Sequence, residues 1–147
     1  MSNLVKMINM NVKFEIIDRE TGKVKLVQSH NAIHYNTAKA IIQAIRDGTN
    51  VQFNNYDKIY VTDTSLGITK YLDATKSYTD LPSSQTIKFT ASDTSTDAYT
   101  VNVAGIKASS PTNPATEYLA VVQTNVSKGA SDILNVTWEI TISCLAL

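Results

Sequence analysis

The carboxyl end of the sequence alternates strictly between apolar and polar residues over about ten positions. The apolar set is Leu134, Val136, Trp138, Ile140 and Ile142, and the polar set is Asn135, Thr137, Glu139, Thr141 and Ser143. Successive side chains of a β-strand point to opposite faces. The pattern therefore predicts a long antiparallel strand with one face in a hydrophobic core and the other face polar.

Shorter segments of the same kind predict further strands. Residues 12–16 and 24–28 are predicted to pair as a hairpin, with Gly22 supplying the positive φ that its loop needs. Additional strands are predicted at 57–62, 86–90, 99–103 and 117–123. The last of these is apolar on both sides in its middle, which indicates a central position in a sheet.

The connecting segments are less uniform. Gly105, just after a predicted strand, indicates a bulge or a close backbone approach. Residues 63–84 fit either a loop with short strands or an excursion that contacts another subunit. Two prolines make 109–114 a loop, and 126–131 is a turn-rich connector.

One segment changes the hydrophobic period from two to about 3.6, which predicts a helix near residues 36–48. Its apolar residues fall on one helical face: Ala38, Ile41, Ile42 and Ile45. Asn36 is the predicted N-cap, and Gly48 is placed to end the helix. So short a helix is marginal alone in water, so we expect the isoleucine face to dock on a sheet.

Length and composition agree with this fold. The 147 residues match one domain, and 43 of them are Ser, Thr or Asn, which disfavour long helices and suit strands and turns. We predict a mainly β protein with one domain over 1–147. Its architecture is an antiparallel, jelly-roll-like β-sandwich with one short amphipathic helix.

The charge balance restricts the partners. Thirteen Lys and Arg residues face thirteen Asp and Glu residues, which excludes a generally basic nucleic-acid binder. Residues 1–10 lack the continuous apolar stretch of a secretory leader, and no segment reaches the roughly 20 apolar residues of a membrane span. We expect synthesis in a cytoplasm without a leader and no membrane association.

The sequence offers weak candidates for chemistry. His30 and His34 stand four apart, as metal ligands can on a helix, but they precede the predicted helix and no cysteine or acidic residue is close in sequence. Cys144 ends the apolar face of the last strand, where a small buried hydrophobe fits better than a reactive thiol. The acids that could form a carboxylate pair have the spacing of turn residues: Asp57, Asp63, Asp73, Asp80, Asp93 and Asp97. We predict no enzyme, and no catalytic, cofactor-binding or metal-binding residue.

Two further features concern surfaces. Asn125 and Asn135 each begin a glycosylation tripeptide, which arises easily by chance in so Asn- and Thr-rich a chain. The tyrosines could form an interface core or a sugar-stacking surface, and we favour the interface. Those named for this role are Tyr56, Tyr60, Tyr71, Tyr78 and Tyr118.

Five segments form an ordered set of short motifs along the chain: 31–33 before the helix, 60–61 with 63–67, 105–106, 126–128 and 132–140. This order resembles small virion structural proteins of tailed bacteriophages and archaeal viruses. In those proteins a lysine-containing turn introduces a closing strand of the form hydrophobic-x-Val-Thr-Trp-x-Ile. Ala104 stands where such relatives often carry Glu, and the glycine-rich loop after 60–61 is missing.

The resemblance implies a homo-oligomeric building block of a viral particle, tail or appendage that acts through subunit interfaces. Its partners would be copies of itself and other virion proteins, and its location the virion. The alternative is a carbohydrate- or surface-binding β-sandwich module, which requires an exposed aromatic platform. A small hydrolase is a further rival, and it requires a pocket in which His30 or His34 meets a carboxylate or hydroxyl.

Overall fold

The computed structural model describes residues 8–31, 34–47, 56–108 and 118–143. These residues form nine strands and one helix. In chain order the elements are β1 (Ile8–Asp18), β2 (Val24–Asn31), α1 (Tyr35–Asp47), β3 (Tyr56–Asp63), β4 (Ile68–Asp73), β5 (Thr75–Leu81), β6 (Ser84–Asp93), β7 (Tyr99–Ala108), β8 (Tyr118–Lys128) and β9 (Asp132–Ser143).

The strands form two antiparallel sheets that pack face to face. The five-stranded sheet has the order β2-β1-β9-β6-β5, and the four-stranded sheet has the order β4-β3-β7-β8. Both sheets contribute apolar side chains to one core, including Phe14, Trp138, Ile59 and Ile106. The predicted antiparallel β-sandwich is confirmed, while its jelly-roll connectivity stays a prediction.

The strand with the clearest alternation lies at the centre of the larger sheet. Along β9 the side chains of Leu134, Val136 and Trp138 are buried and the intervening ones are half-buried. Its pairing with β1 on one side and β6 on the other continues without a register shift. Because a one-residue slip would turn the whole apolar set outward, the alternation fixes this register.

The turn and close-approach predictions are also confirmed. Gly22 has φ of +71° in the hairpin between β1 and β2. Gly105 lies inside β7, where the ring of Tyr60 and the carbonyl of Ala120 occupy the space that a Cβ would need. The absence of a side chain at Gly105 therefore lets the Tyr60 ring lie directly on the backbone.

Residues 63–84 contain two turns and the two strands β4 and β5. The chain leaves β4 of the smaller sheet and enters β5 of the larger sheet with Ala74 alone between them. The Ala74 N–H donates to the Asp57 carbonyl at 2.9 Å and holds this corner. The first of the two expected descriptions, a loop with short strands, matches the structure.

Two predictions around β8 are wrong. This strand continues to Lys128, so the connector expected at 126–131 is reduced to the tight turn after it. It is also an edge strand of its sheet rather than a central one. Its apolar character has another cause, since α1 packs against β8 and the Thr37 hydroxyl donates to the Leu119 carbonyl at 2.6 Å.

The helix begins one residue earlier than predicted, and Asn36 is not its N-cap. The His34 carbonyl accepts from the Thr37 N–H at 3.0 Å, and the His34 Nδ1 accepts from the Asn36 N–H at 3.1 Å. His34 therefore satisfies the first unpaired donors of α1, which is the role of an N-cap. The predicted stop at Gly48 and the loop at 109–114 lie outside the described residues.

The docking face of the helix also differs from the prediction. Among the helix side chains that the structure describes, Thr37 and Ala40 are buried, whereas Ile42 is 64% exposed and Ile45 is 75% exposed. The buried face carries the small side chains of Thr37 and Ala40 and a hydrogen bond to β8, so the helix backbone lies close to that strand. In this orientation Ile42 and Ile45 point to solvent.

Candidate functional site

The two histidines meet at a small cavity between the sheets. His30, His34, Val12 and Trp138 help to line a space of about 70 Å³. The His30 Nε2 lies 3.0 Å from the Thr124 hydroxyl. Burial lowers the pKa of the His34 ring, which favours the neutral form that caps the helix.

The contact between His30 and the Thr124 hydroxyl is the one that the hydrolase alternative requires, and the cavity beside His30 is small. No group of three or more His, Cys, Asp or Glu side chains that could hold a metal ion occurs among residues 8–31, 34–47, 56–108 and 118–143. The volume suffices for about two water molecules rather than a substrate. Cys144, the other candidate, lies outside the described residues.

The acidic candidates have structural partners. Asp63 accepts from the backbone N–H groups of Thr100 at 2.8 Å and Leu66 at 3.0 Å, which lower the pKa of its carboxyl group. Asp73 pairs with Lys58. Asp57 and Asp80 lie on β3 and β5, and Asp80 accepts from the Gln85 amide at 2.7 Å.

Asp93 and Asp97 do come together, around Lys70. The Lys70 Nζ lies 2.9 Å from Asp93 Oδ2 and 2.7 Å from Asp97 Oδ2. The Tyr99 hydroxyl also donates to Asp93. Burial raises the pKa of Asp93, but the hydrogen bonds from Tyr99, Lys70 and Ser95 outweigh it and hold that pKa far below its usual range.

A buried lysine extends this group. Lys128 is 2% exposed and donates to the carbonyls of Ser95 at 2.6 Å, Asp97 at 2.7 Å and Gly129 at 3.3 Å. Burial lowers the pKa of its ammonium group. We call the set of Lys70, Asp93, Asp97, Tyr99 and Lys128 the ion cluster.

The ion cluster closes one end of the sandwich. Asp93 belongs to the larger sheet, while Lys70, Tyr99 and Lys128 belong to the smaller one. Every member is bound to another member or to a backbone carbonyl, so the charges are neutralised locally rather than directed at a ligand. The sequence alone does not reveal the cluster, because its residues come from three separate stretches of the chain, at 70, 93–99 and 128. The one local signal in the sequence is that Lys128 stands two residues after the apolar Val126. Residues two apart on a strand share a face, so a cation is placed on the inward face of β8.

The tyrosines divide into two groups. Tyr56 and Tyr60 are buried, Tyr71 and Tyr78 are exposed, and the side chain of Tyr118 is not described. The Lys107 Nζ lies 3.9 Å from the centre of the Tyr71 ring, a cation–π distance. Tyr71 on β4 and Tyr78 on β5 belong to different sheets.

The two asparagines of the glycosylation tripeptides lie on the strands β8 and β9. Asn125 is exposed. Asn135 is half-buried, and its Oδ1 accepts a hydrogen bond from the Ser92 hydroxyl at 2.6 Å.

The most distinctive surfaces of the described residues are apolar. The outer face of α1 presents Tyr35, Ile42 and Ile45, which are exposed by 73%, 64% and 75%. We call these three residues the helix stripe. On the edge strand β2, Val24 and Val27 are each more than half exposed.

A third apolar surface lies beside α1. A groove of about 230 Å³ runs between the helix and the larger sheet, with walls that are almost entirely apolar. Ile41, Ile87, Ile142 and Tyr78 line it. Such a groove is suited to burying apolar side chains.

Comparison with known proteins gives no identification. A scan against protein-family models, a search of curated proteins and a search of solved structures each return no match to this chain. Within the described parts of the chain, no helix has the length and apolar character that crossing a bilayer requires.

Proposed function

We propose that this protein is a structural subunit that assembles with copies of itself, and that the assembly belongs to a virion. The observation that carries the proposal is the helix stripe. A lone subunit gains nothing from turning Ile42 and Ile45 to solvent while it buries Thr37. A subunit whose helix is covered by a neighbour gains the burial of both isoleucines, worth about 1.5–3 kcal/mol for each.

The other surfaces support an assembly role. The apolar part of β2 lies on a different element from the helix stripe, and the groove is formed by other residues of α1 together with the larger sheet. A subunit of a closed shell or tube must contact several neighbours, and so it needs more than one interface. The neutral exterior, rich in Ser, Thr and Asn, also suits contacts that do not depend on salt.

The virion part of the proposal rests on the sequence. It follows from the resemblance of the closing strand 132–140 and its lysine-containing turn to small virion structural proteins. The confirmed sandwich is compatible with that class, but a fold by itself does not imply a function.

The self-assembly proposal is tested by measuring the mass of the purified protein as a function of concentration. We expect an oligomer or polymer, and a monodisperse monomer at every concentration would contradict the proposal. A double variant, Ile42→Glu with Ile45→Glu, should lower the mass while leaving the free energy of unfolding within about 0.5 kcal/mol of wild type. Lys23→Glu changes the net charge by the same amount on an exposed turn and serves as the control.

The virion location is tested separately. Mass spectrometry of purified particles from cells that carry the gene should find the chain in many copies. Its absence from the particles would contradict the location, while binding of a monomer to polysaccharide would favour the carbohydrate-binding alternative.

A further inference from the structure

Strand β5 is an open edge of the larger sheet. All seven of its residues, Thr75–Leu81, are exposed. Among the described strands it pairs with β6 alone. An edge strand of this kind presents a row of backbone N–H and C=O groups that another extended strand can satisfy.

The side chains of β5 are arranged symmetrically about Tyr78. Lys76 stands two residues before Tyr78 and Asp80 stands two residues after it, so all three share one face of the strand. Tyr78 lies opposite Ile87 on β6, which places this face on the side of the sheet that carries the apolar groove.

We propose that β5 is an interface with a second copy of this chain, paired antiparallel about a twofold axis at Tyr78. In this register Lys76 of each copy lies opposite Asp80 of the second copy, which creates two symmetry-related ion pairs. The two Tyr78 side chains meet at the axis, next to the grooves of both copies. The inference rests on the proposed self-assembly and names one of its interfaces.

The direction of the strands favours this arrangement over a head-to-tail one. The five strands of the larger sheet are all antiparallel to their neighbours, so the two edge strands, β2 and β5, run in the same direction. Head-to-tail joining of β5 to β2 would create a parallel pair, which is less stable per residue. A twofold axis at β5 continues the antiparallel order and gives a sheet of ten strands.

Charge distinguishes β5 from the other edge of the same sheet. Strand β2 (Val24–Asn31) contains Lys25 and His30 but no acidic residue, so two copies of it cannot form complementary ion pairs. Strand β5 carries one cation and one anion at equal distances from its centre. No ion pair of Lys76 occurs within the part of the subunit that the structure describes, and an Asp80 of the second copy would provide one.

A charge-exchange experiment tests the pairing. Lys76→Glu places two acidic residues opposite each other at both contacts, and Asp80→Lys places two cations there. We expect each single variant to raise the dissociation constant of the dimer about tenfold at low salt, because two exposed pairs change from attraction to repulsion. The double variant, Lys76→Glu with Asp80→Lys, restores both pairs and should return to within about threefold of wild type. Lys23→Glu should have no effect.

Cross-linking locates the axis independently. In a Cys144→Ser background, Tyr78→Cys should form a disulfide-linked dimer with copper phenanthroline as the oxidant, because directly opposed residues lie about 5 Å apart between Cα atoms. Thr75→Cys should not, since each copy lies three residues from the axis and the two copies are therefore about six residues, or ~20 Å, apart along the strands.

The outcomes separate this inference from the proposed function. A wild-type protein that remains monomeric overturns both. An oligomer that is unaffected by the single charge variants, or that cross-links through Thr75→Cys rather than Tyr78→Cys, overturns the β5 interface and leaves self-assembly standing. The pairing is supported if both single variants raise the dissociation constant of the dimer and the double variant returns it to near the wild-type value.

Discussion

The Tyr99 hydroxyl donates a hydrogen bond to the Asp93 carboxylate, and this contact joins the start of β7 in one sheet to the end of β6 in the other. Each residue is only 4% exposed. Lys70 donates to the same carboxylate. The end of the sandwich is therefore closed by a satisfied polar network, whose loss should be costly because the remaining groups would be buried without partners.

The first prediction concerns this hydrogen bond. Tyr99→Phe keeps the ring in place and removes the donor to Asp93, so we expect the free energy of unfolding to fall by about 1–3 kcal/mol. Urea denaturation measures the change. Tyr71→Phe, on β4 with an exposed side chain, should change stability by less than about 0.5 kcal/mol. Equal losses in the two variants would contradict a special role for the buried contact.

The second prediction concerns acid. The folded pKa of Asp93 is far below its unfolded value of about 4, so its contribution to stability is fully present above that value and is lost as pH falls through the folded pKa. Stability should decline between about pH 5 and pH 2. In Asp93→Asn the decline should be shallower and the stability at pH 7 lower. Unfolding curves with parallel pH slopes in the two proteins would contradict this.

The third prediction concerns the buried lysine. Lys128→Met keeps most of the apolar stem but leaves the carbonyls of Ser95, Asp97 and Gly129 without their charged donor. We expect a loss of about 3 kcal/mol, measured by urea denaturation. The matched control is Lys23→Met in the turn before β2, where the side chain is exposed. A loss below about 0.5 kcal/mol in Lys128→Met would show that the carbonyls find other donors.

The fourth prediction concerns the close approach at Gly105. In Gly105→Ala the new methyl group would overlap the Tyr60 ring and the Ala120 carbonyl, and we expect a loss of about 2–3 kcal/mol. Gly67→Ala isolates the cost of backbone conformation, because its φ is +65° and nothing lies within 4 Å of the new Cβ. That cost is about 1 kcal/mol. If the melting temperature falls no further in Gly105→Ala than in Gly67→Ala, the steric argument is contradicted.

The sequence predicted most of the strands because alternation is a local signal. The face of β9 that carries Trp138 could be assigned from five apolar residues alone, and Gly22 marked its turn because few residues adopt positive φ. The helix shows the limit of this approach. Its period placed Ile42 and Ile45 on one face, but periodicity does not say whether that face meets its own sheet or another molecule.

The charged groups show the same limit. Lys70, Asp93 and Lys128 are separated along the chain by 23 residues or more and meet only when the two sheets pack. Each residue by itself resembles an ordinary surface or turn residue. The convergence of His30 and His34 on one cavity is another result of packing. The structure also shows that the His34 Nδ1 accepts from the Asn36 N–H and so caps the helix.

The sequence by itself determined that this chain forms strands, which of their faces are apolar and where the hairpin turns, because these depend on side chains a few residues apart. The tertiary structure decided which strands lie at the edges, which face of the helix is buried and which charges neutralise one another. Those outcomes depend on the relative positions of distant segments, and the free energy of sheet packing, rather than local preference, selects among them.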